Sequence, residues 1–269
     1  MALETRESLQ EREYKDKGPY HWSISIAGGV VFQMGIENRK TDRLVRWFHP
    51  GLLRYRAAIS IIQPHMDQLL TKNMKPRILD LGGGDGFMAG GMIAPRWGNN
   101  ADLFNCDISY NALYLSRLKN DKVSNTQARD RLPFKSESFD VITALEVLEH
   151  VEDGLLFLKE AKRVLCEKGI MVISTPSKKY PINLKHREHY DKSSLTSVLE
   201  SAGFDDYSVI GYRFSPYKLI RYAAYGIDAV FRLIKNSPVG IYEYKKEETG
   251  RVQDLPDGYI VLCRKECRK

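Results

Sequence analysis

Short apolar runs alternate with amphipathic stretches along most of the chain, and each run is long enough for one buried strand. The runs predict core strands at 77–81, 102–107, 123–128, 140–144, 170–174 and 207–212, and a final strand at 258–263. Helical spacing between them predicts helices at 111–119, 154–165 and 191–201. Strands that alternate with helices predict an α/β fold with a doubly wound, Rossmann-like sheet.

Two segments lie outside this alternation. Residues 1–76 begin with a charged stretch and include a helical pattern at 52–70, which predicts an N-terminal helical extension and cap. Residues 214–257 predict a helical insertion before the final strand, whose apolar positions suit packing on the core, a homodimer interface or a cover over the substrate cleft. Peripheral membrane contact through 214–235 is a further alternative. The core is therefore predicted at 77–213, with the final strand and a basic tail at 258–269.

Composition narrows the class of protein without naming its partner. The 269 residues are 43% hydrophobic and 28% charged, which is typical of a globular chain. A net charge of +7 favours anionic partners only mildly. The four cysteines lack the spacing of a zinc site, and no apolar run reaches the length of a membrane span. Together with a charged N-terminus, these features predict a cytoplasmic protein.

A glycine-rich turn directly follows the first core strand, in the segment Ile78-Leu-Asp-Leu-Gly-Gly-Gly-Asp-Gly-Phe87. Strand, tight glycine turn and helix form the corner that binds nucleotides in doubly wound sheets, and glycines leave no Cβ in the way of a ligand. Asp107 ends the second strand, where a carboxylate can accept hydrogen bonds from both ribose hydroxyls of an adenosine-containing ligand. The turn alone also fits the G-x-G-x-x-A fingerprint of nicotinamide-binding proteins.

The glycine turn resembles that of class I S-adenosylmethionine (SAM)-dependent methyltransferases. The segment Asp130-Arg-Leu-Pro-Phe-Lys-Ser-Glu-Ser-Phe-Asp-Val-Ile142 is similar to this family's approach to the fourth core strand, a signature that nicotinamide enzymes do not usually show. The segment Ala144-Leu-Glu-Val-Leu-Glu-His-Val151 resembles quinone-biosynthesis O-methyltransferases. The resemblance covers about 77–206 and the final strand. It implies a seven-stranded sheet whose last strand runs antiparallel between the fifth and the sixth.

The resemblance also implies which residues contact SAM. Asp80 faces the ammonium group, an arginine of the N-terminal helix faces the carboxylate, and the segment around Arg129 and Asp130 contacts adenine. Arg54 is the candidate arginine, with Arg56 as its competitor. The full set of expected cofactor-binding residues is Arg54, Asp80, Gly82, Gly83, Gly84, Asp107, Ile108, Arg129, Asp130 and Leu145.

Acidic and imidazole side chains follow the fourth core strand, at the sheet edge where such folds bind ligands. His150 and Glu146 are candidates for the base that removes a proton from a hydroxyl acceptor. The same region resembles two metal-assisted groups, the quinone O-methyltransferases and the small-RNA 3′-terminal ribose methyltransferases. That resemblance implies a divalent cation held by Glu146, Glu149, His150 and His189, with His186 as the alternative histidine.

The predicted function is SAM-dependent methyl transfer to an oxygen of a small-molecule acceptor, which can be quinone-like, a sugar or lipid-linked. A metal-assisted RNA ribose 2′-O-methyltransferase is the alternative among enzymes. It is disfavoured because the basic stretch around Lys178 and Lys192 is diluted by acids, so nucleic acid is not the expected partner. A catalytically inactive SAM-fold scaffold subunit is the alternative outside enzymes.

Overall fold

The computed structural model describes residues 21–25, 31–35, 53–179, 182, 186–213, 242–243 and 255–266. Strands β1 (His21–Ser25) and β2 (Val31–Gly35) form a two-stranded antiparallel sheet, which the sequence did not predict. Helix α1 (Leu53–Thr71) follows, as the helical pattern at 52–70 predicts. The charged stretch at the start of the chain and the helical pattern at 214–235 lie outside the described residues.

The remaining strands form one mixed sheet. They are β3 (Arg77–Leu81), β4 (Asp102–Asp107), β5 (Val123–Gln127), β6 (Phe139–Leu145), β7 (Leu165–Pro176), β8 (Asp206–Arg213), β9 (Tyr242–Glu243) and β10 (Gly258–Arg264). Their order is β5-β4-β3-β6-β7-β10-β8-β9, with β3 to β7 parallel and β10 antiparallel to both of its neighbours. The predicted seven-stranded sheet with an antiparallel last strand is confirmed, and the short β9 extends it by antiparallel pairing with β8.

Helices connect the strands. They are a π-helical segment (Phe87–Ile93), α2 (Ala94–Trp97), α3 (Tyr110–Lys119), α4 (Gly154–Val164) and α5 (Lys192–Ser201). The Ser109 side chain caps α3, and Asp191 caps α5 in a capping box with Ser194. Within the described part of the chain, no helix is long and apolar enough to cross a membrane.

One boundary differs from the sequence pattern. Helix α4 ends at Val164, and β7 begins at once with Leu165, well before the apolar run at 170–174 that marks the strand in the sequence. Leu165 pairs with Phe139, and the ladder shifts register before Val141 pairs with Ile170. The intervening polar residues include Lys168 in a left-handed conformation, so their composition hides the first part of the strand.

Apolar side chains cover both faces of the sheet. On β3, Ile78 packs in the layer that contains α1 and the π-helical segment, whereas Leu79 packs in the layer that contains α4 and α5. Central parallel strands are buried on both faces in this way, which explains their continuous apolar runs. Because ligand groups cannot enter either covered face, the polar side chains at the carboxyl ends of β3, β4, β6 and β7 define the accessible edge.

Candidate active site

The glycine loop, residues 82–86, adopts a backbone that side chains disfavour. Gly82, Gly84 and Gly86 have φ angles of 71°, 55° and 78°. A Cβ on Gly82 would lie 2.6 Å from both Cγ atoms of Val147, and a Cβ on Gly83 would overlap the carboxylate of Asp80. Glycine is therefore required here by backbone conformation and by close packing, as expected where the chain turns sharply beside a ligand.

Asp107 braces this loop from the end of β4. Its Oδ2 atom accepts a hydrogen bond from the Gly84 backbone N–H at 2.9 Å, and its Oδ1 atom accepts one from the Ser109 N–H at 2.9 Å. Each carboxylate oxygen has a second lone pair, so Asp107 can still accept ribose hydroxyls. The contacts of Asp107 with the loop are therefore compatible with the cofactor role expected from the sequence.

Asp80 is buried at the end of β3. Its Oδ1 atom accepts a hydrogen bond from the Thr143 hydroxyl at 2.8 Å, and its Oδ2 atom accepts one from the Ala89 N–H at 3.2 Å. Burial raises the pKa of Asp80 to about 7, against the opposing effect of these hydrogen bonds. Asp80 therefore titrates near neutral pH.

A third acid of the loop region faces away from this edge and was not predicted. Asp85 forms a buried ion pair with Lys119, the last residue of α3, at 2.7 Å. The Asn105 side-chain amide donates to the Gly84 carbonyl at 3.0 Å. The loop is therefore fixed from α3 and β4 as well as from its own strand. The sequence carries no local signal for these contacts because their partners are far apart along the chain.

The expected adenine-binding residues lie along the neighbouring strand end. The Ala128 N–H donates to the Asp107 carbonyl at 3.1 Å, which holds the segment beside β4. Arg129 and Asp130 are exposed, Ile108 is half-buried and Leu145 is buried at the end of β6. The polar side chains of this group are thus at the surface, and the apolar ones are further inside.

Arg54 of α1 is buried and lies 3.5 Å from Oε2 of Glu146, just after β6. Burial alone would lower the pKa of Arg54, but the carboxylate of Glu146 raises it above its ordinary value. The competing candidate Arg56 is half-buried, and burial together with the charge of Arg96 lowers its pKa. Arg54 is therefore the arginine of α1 that faces the acidic sheet edge.

Glu146 is also fixed by β7. Its Oε1 atom accepts a hydrogen bond from the Ser174 hydroxyl at 2.9 Å, and its backbone N–H donates to the Ser174 carbonyl at 2.9 Å. Its φ of 57° is a left-handed conformation that a glutamate adopts only at a cost. Such strain persists where surrounding contacts enforce it, and it is frequent at functional sites.

The histidine cluster, comprising Glu149, His150, His186 and His189, lies beside this pair. Nε2 of His150 is 3.8 Å from Oε1 of Glu149, and the ring centroids of His150 and His186 are 4.7 Å apart. His186 and His189 are joined through Nδ1 and Nε2 at 2.5 Å. The Glu149 carbonyl accepts the Arg187 N–H at 2.6 Å, which draws this segment towards the end of β6.

Three members of the histidine cluster could bind one cation. One ligand atom from each of Glu149, His150 and His186 lies within 4.8 Å of the others. This set differs from the expected one: Glu146 faces Arg54 and Ser174 instead, and His189 contacts His186 from outside the group. The difference arises because the Glu-x-x-Glu-His spacing does not show which of the two glutamates will pair with an arginine of helix α1.

Glu149 itself is 1% exposed and accepts a hydrogen bond from the Thr175 hydroxyl at 3.3 Å. Burial raises its pKa well above the ordinary value, and the nearby charge of Glu146 adds to that rise. A positive charge beside Glu149 would offset this unfavourable ionisation. The adjacent imidazoles of the histidine cluster are placed to share a proton or a cation with it.

Tyr212 completes the far side of the site and was also not predicted. It is buried at the end of β8, and its hydroxyl occupies space that a Cβ on the paired residue Gly258 would fill. Burial raises the pKa of Tyr212, with the charge of Glu146 adding to the rise. In the sequence, Gly258 at the start of β10 indicates that a bulky neighbour lies close to the backbone. That this neighbour is Tyr212 follows only from the pairing of β10 with β8.

Comparison with known proteins agrees with this geometry. Residues 79–173 match the family model described as a methyltransferase domain. The chain contains a class I SAM-dependent methyltransferase domain. SAM is the cofactor of this family, and the glycine loop with the carboxylates of Asp80 and Asp107 is compatible with such a ligand.

Curated relatives match parts of the chain. A probable SAM-dependent methyltransferase from Mycobacterium tuberculosis is 29% identical over 165 residues, which cover 54% of this chain and 56% of that protein. A ubiquinone biosynthesis O-methyltransferase from Azorhizobium caulinodans is 33% identical over 104 residues, covering 37% of this chain and 40% of that protein. The chain thus spans about half the length, or less, of these curated relatives.

A solved structure shares the fold. A SAM-dependent methyltransferase from Thermotoga maritima, described as a possible histamine N-methyltransferase, superposes with a TM-score of 0.56. The two sequences are 16% identical, and the match covers 84% of this chain and 95% of the other. At this identity the similarity establishes the fold alone.

Proposed function

We propose that this protein transfers the methyl group of SAM to a hydroxyl oxygen of a small-molecule acceptor, with His150 as the general base. The observation that supports this proposal is the half-buried imidazole of His150 beside the buried Glu149, at the sheet edge where the glycine loop ends. The similarity to ubiquinone biosynthesis O-methyltransferases favours oxygen and a phenolic or quinone-like acceptor.

SAM, when bound, supplies an electrophilic methyl group on a sulfonium that is already a good leaving group. The chain's own residues therefore act mainly by positioning. Asp107 accepts the ribose hydroxyls, Asp80 faces the ammonium group and Arg54 faces the carboxylate. Leu145 and Ile108 pack against the adenosine. Together they fix the cofactor relative to the acceptor.

His150 performs the proton transfer in this proposal. The acceptor hydroxyl gives its proton to an imidazole nitrogen as the oxygen forms its bond to the methyl carbon and the sulfur keeps the bonding electron pair. Glu149 stabilises the imidazolium that results, because the two side chains are only 3.8 Å apart. His150 is half-buried, with 24% of its side chain exposed, so part of the imidazole remains accessible.

A divalent cation is the second candidate for this chemistry, favoured by the convergence of Glu149, His150 and His186. One carboxylate and two imidazoles suit manganese, iron or zinc better than magnesium. The three side chains would hold the ion, and His189 would orient His186. Such an ion would lower the pKa of a bound hydroxyl and thereby replace the base.

The test is methyl transfer from SAM to a panel of catechols, hydroxyquinones, sugars and lipid-linked alcohols, with mass detection of any product that gains a methyl group. His150→Gln should lower turnover by about 100-fold or more while leaving SAM affinity within about twofold. Transfer only to nitrogen or carbon, or full activity of the variant, would contradict the proposal. Loss of activity with EDTA and recovery with one divalent ion would favour the cation over the base.

A further inference from the structure

Glu146 is held by more contacts than a proton-transferring carboxylate needs. Both of its carboxylate oxygens are engaged, Oε1 by the Ser174 hydroxyl at 2.9 Å and Oε2 by the Arg54 guanidinium at 3.5 Å. Its backbone is strained, with a φ of 57°. A group that must accept a proton from a substrate needs a free lone pair directed at that substrate, whereas these contacts direct Glu146 towards α1 and β7.

The Arg54–Glu146 pair lies next to the glycine loop. Val147, the residue after Glu146, packs so closely on Gly82 that a Cβ there would be 2.6 Å away. On the other side, the ring of Tyr55, which follows Arg54, makes an edge contact with Phe87 at a centroid distance of 5.1 Å. The pair is therefore anchored at both ends to the residues that frame the cofactor cradle.

The charges in this region are complementary to an amino-acid group. Asp80 and Glu146 supply negative charge, and both act on the partly buried Tyr55 together with the positive charge of Arg54. A buried guanidinium has five N–H donors, so one carboxylate does not exhaust it. Arg54 can retain Glu146 and still donate to a second carboxylate, such as that of the methionine moiety of SAM.

We propose that Glu146 is a positioning residue for the cofactor, which holds the Arg54 guanidinium beside the glycine loop so that it recognises the carboxylate of SAM. This inference rests on the proposed cofactor contact of Arg54, and it is independent of the acceptor and of the role of His150. It assigns Glu146 to cofactor recognition, and it leaves the chemistry to the neighbouring histidine cluster.

The inference is tested by calorimetry with two ligands, SAM and decarboxylated SAM, which differ only in the carboxylate. The native protein should prefer SAM by about tenfold or more, the range of a charge-assisted hydrogen bond. Glu146→Gln should lower SAM affinity by about tenfold and change the affinity for decarboxylated SAM by less than about twofold. The substitution removes the contact that orients the Arg54 guanidinium, and this orientation matters only for a ligand that carries the carboxylate. Arg54→Lys, which keeps the charge without the planar fork, should act in the same direction.

A matched control removes an arginine partner at the opposite edge of the sheet. Asp206 lies 3.0 Å from Arg264 on the surface, and Asp206→Asn should leave both affinities unchanged. Thermal unfolding establishes that each variant is folded. If Glu146→Gln does not fold, Ser174→Ala removes the hydroxyl that fixes Glu146 and should reduce the preference for SAM partially.

Four outcomes would overturn the inference. Tighter SAM binding by Glu146→Gln would mean that Glu146 competes with the cofactor for Arg54. A larger loss for decarboxylated SAM, which carries the greater net positive charge, would mean that Glu146 acts only as a negative charge. An equal loss for both ligands would indicate a structural role, and no loss would mean that Glu146 does not contribute to SAM recognition. Because no acceptor is present, none of these results depends on whether oxygen is the methylated atom.

Discussion

Asp107 and Gly84 are joined by a 2.9 Å hydrogen bond between a carboxylate oxygen and a backbone N–H, so that the residue expected to bind ribose also sets the shape of the glycine loop. If Asp107 binds ribose as expected, the cofactor and the loop are coupled through one side chain. A change at Asp107 should therefore affect ligand affinity and loop order together.

We expect Asp107→Asn to weaken SAM binding by roughly tenfold to a hundredfold, because a neutral amide accepts hydrogen bonds at only one of its two positions. The amide must give up the Gly84 N–H, the Ser109 N–H or a ribose hydroxyl. Calorimetry measures the change. Asp102→Asn, at the exposed start of the same strand, is the matched control and should bind SAM normally. Unchanged affinity in Asp107→Asn would contradict the assigned role.

Gly82→Ala should destabilise the folded protein by about 2–4 kcal/mol, the sum of a left-handed backbone penalty and steric overlap. The overlap is with Val147, whose Cγ atoms would be 2.6 Å from the new Cβ. Denaturant unfolding of Gly82→Ala in a Val147→Ala background separates the two contributions. Relief of the overlap should leave about 1–2 kcal/mol of backbone penalty. Equal destabilisation in both backgrounds would exclude the steric part.

SAM affinity should depend on pH around neutrality through Asp80, whose burial raises its pKa to about 7. The ammonium group of SAM favours the ionised carboxylate, so affinity should fall as the pH drops through this value, and binding near pH 7 should release protons. Calorimetry in buffers of different ionisation enthalpy measures that release. Asp80→Asn should abolish it, and proton release that persists in this variant would assign the titration elsewhere.

The same group has the opposite effect on folding. Because its folded pKa lies above the ordinary value of 3.8, Asp80 stabilises the fold most at low pH. That contribution is lost as the pH rises from about 4 to about 7. Ligand-free Asp80→Asn should therefore gain stability relative to the native protein as the pH is raised over this interval.

Lys119→Met should destabilise the fold by about 3–5 kcal/mol, because it leaves the Asp85 carboxylate buried without the ammonium group that lies 2.7 Å away. Adding Asp85→Asn should restore more than half of the loss, since no buried charge then remains. Lys178→Met breaks a partly exposed ion pair of the same length and should change stability by less than about 1 kcal/mol. Urea unfolding measures the stability of the three variants. If the Lys119→Met/Asp85→Asn double variant is as unstable as Lys119→Met alone, the charge argument is refuted.

Features that depend on neighbouring residues could be predicted from the sequence. Strand β3, the glycine loop and the cap residues Ser109 and Asp191 are specified by periodicity and by hydrogen bonds within a few positions, so the pattern locates them. The order of the strands followed from the family resemblance, and it implies that Asp80 and Asp107 lie at the same edge of the sheet, as the parallel pairing of β3 and β4 shows.

The contacts between side chains of different elements depend on how the layers pack. The packing of α1 on the sheet turns Glu146 towards Arg54, and the contact of Arg187 with Glu149 draws His186 beside His150. These partners are distant in the chain and interact only after the layers pack, so local spacing contains no information about them. The glycine loop was thus recognisable from the sequence, whereas the contacts that separate Glu146 from the histidine cluster depend on long-range packing.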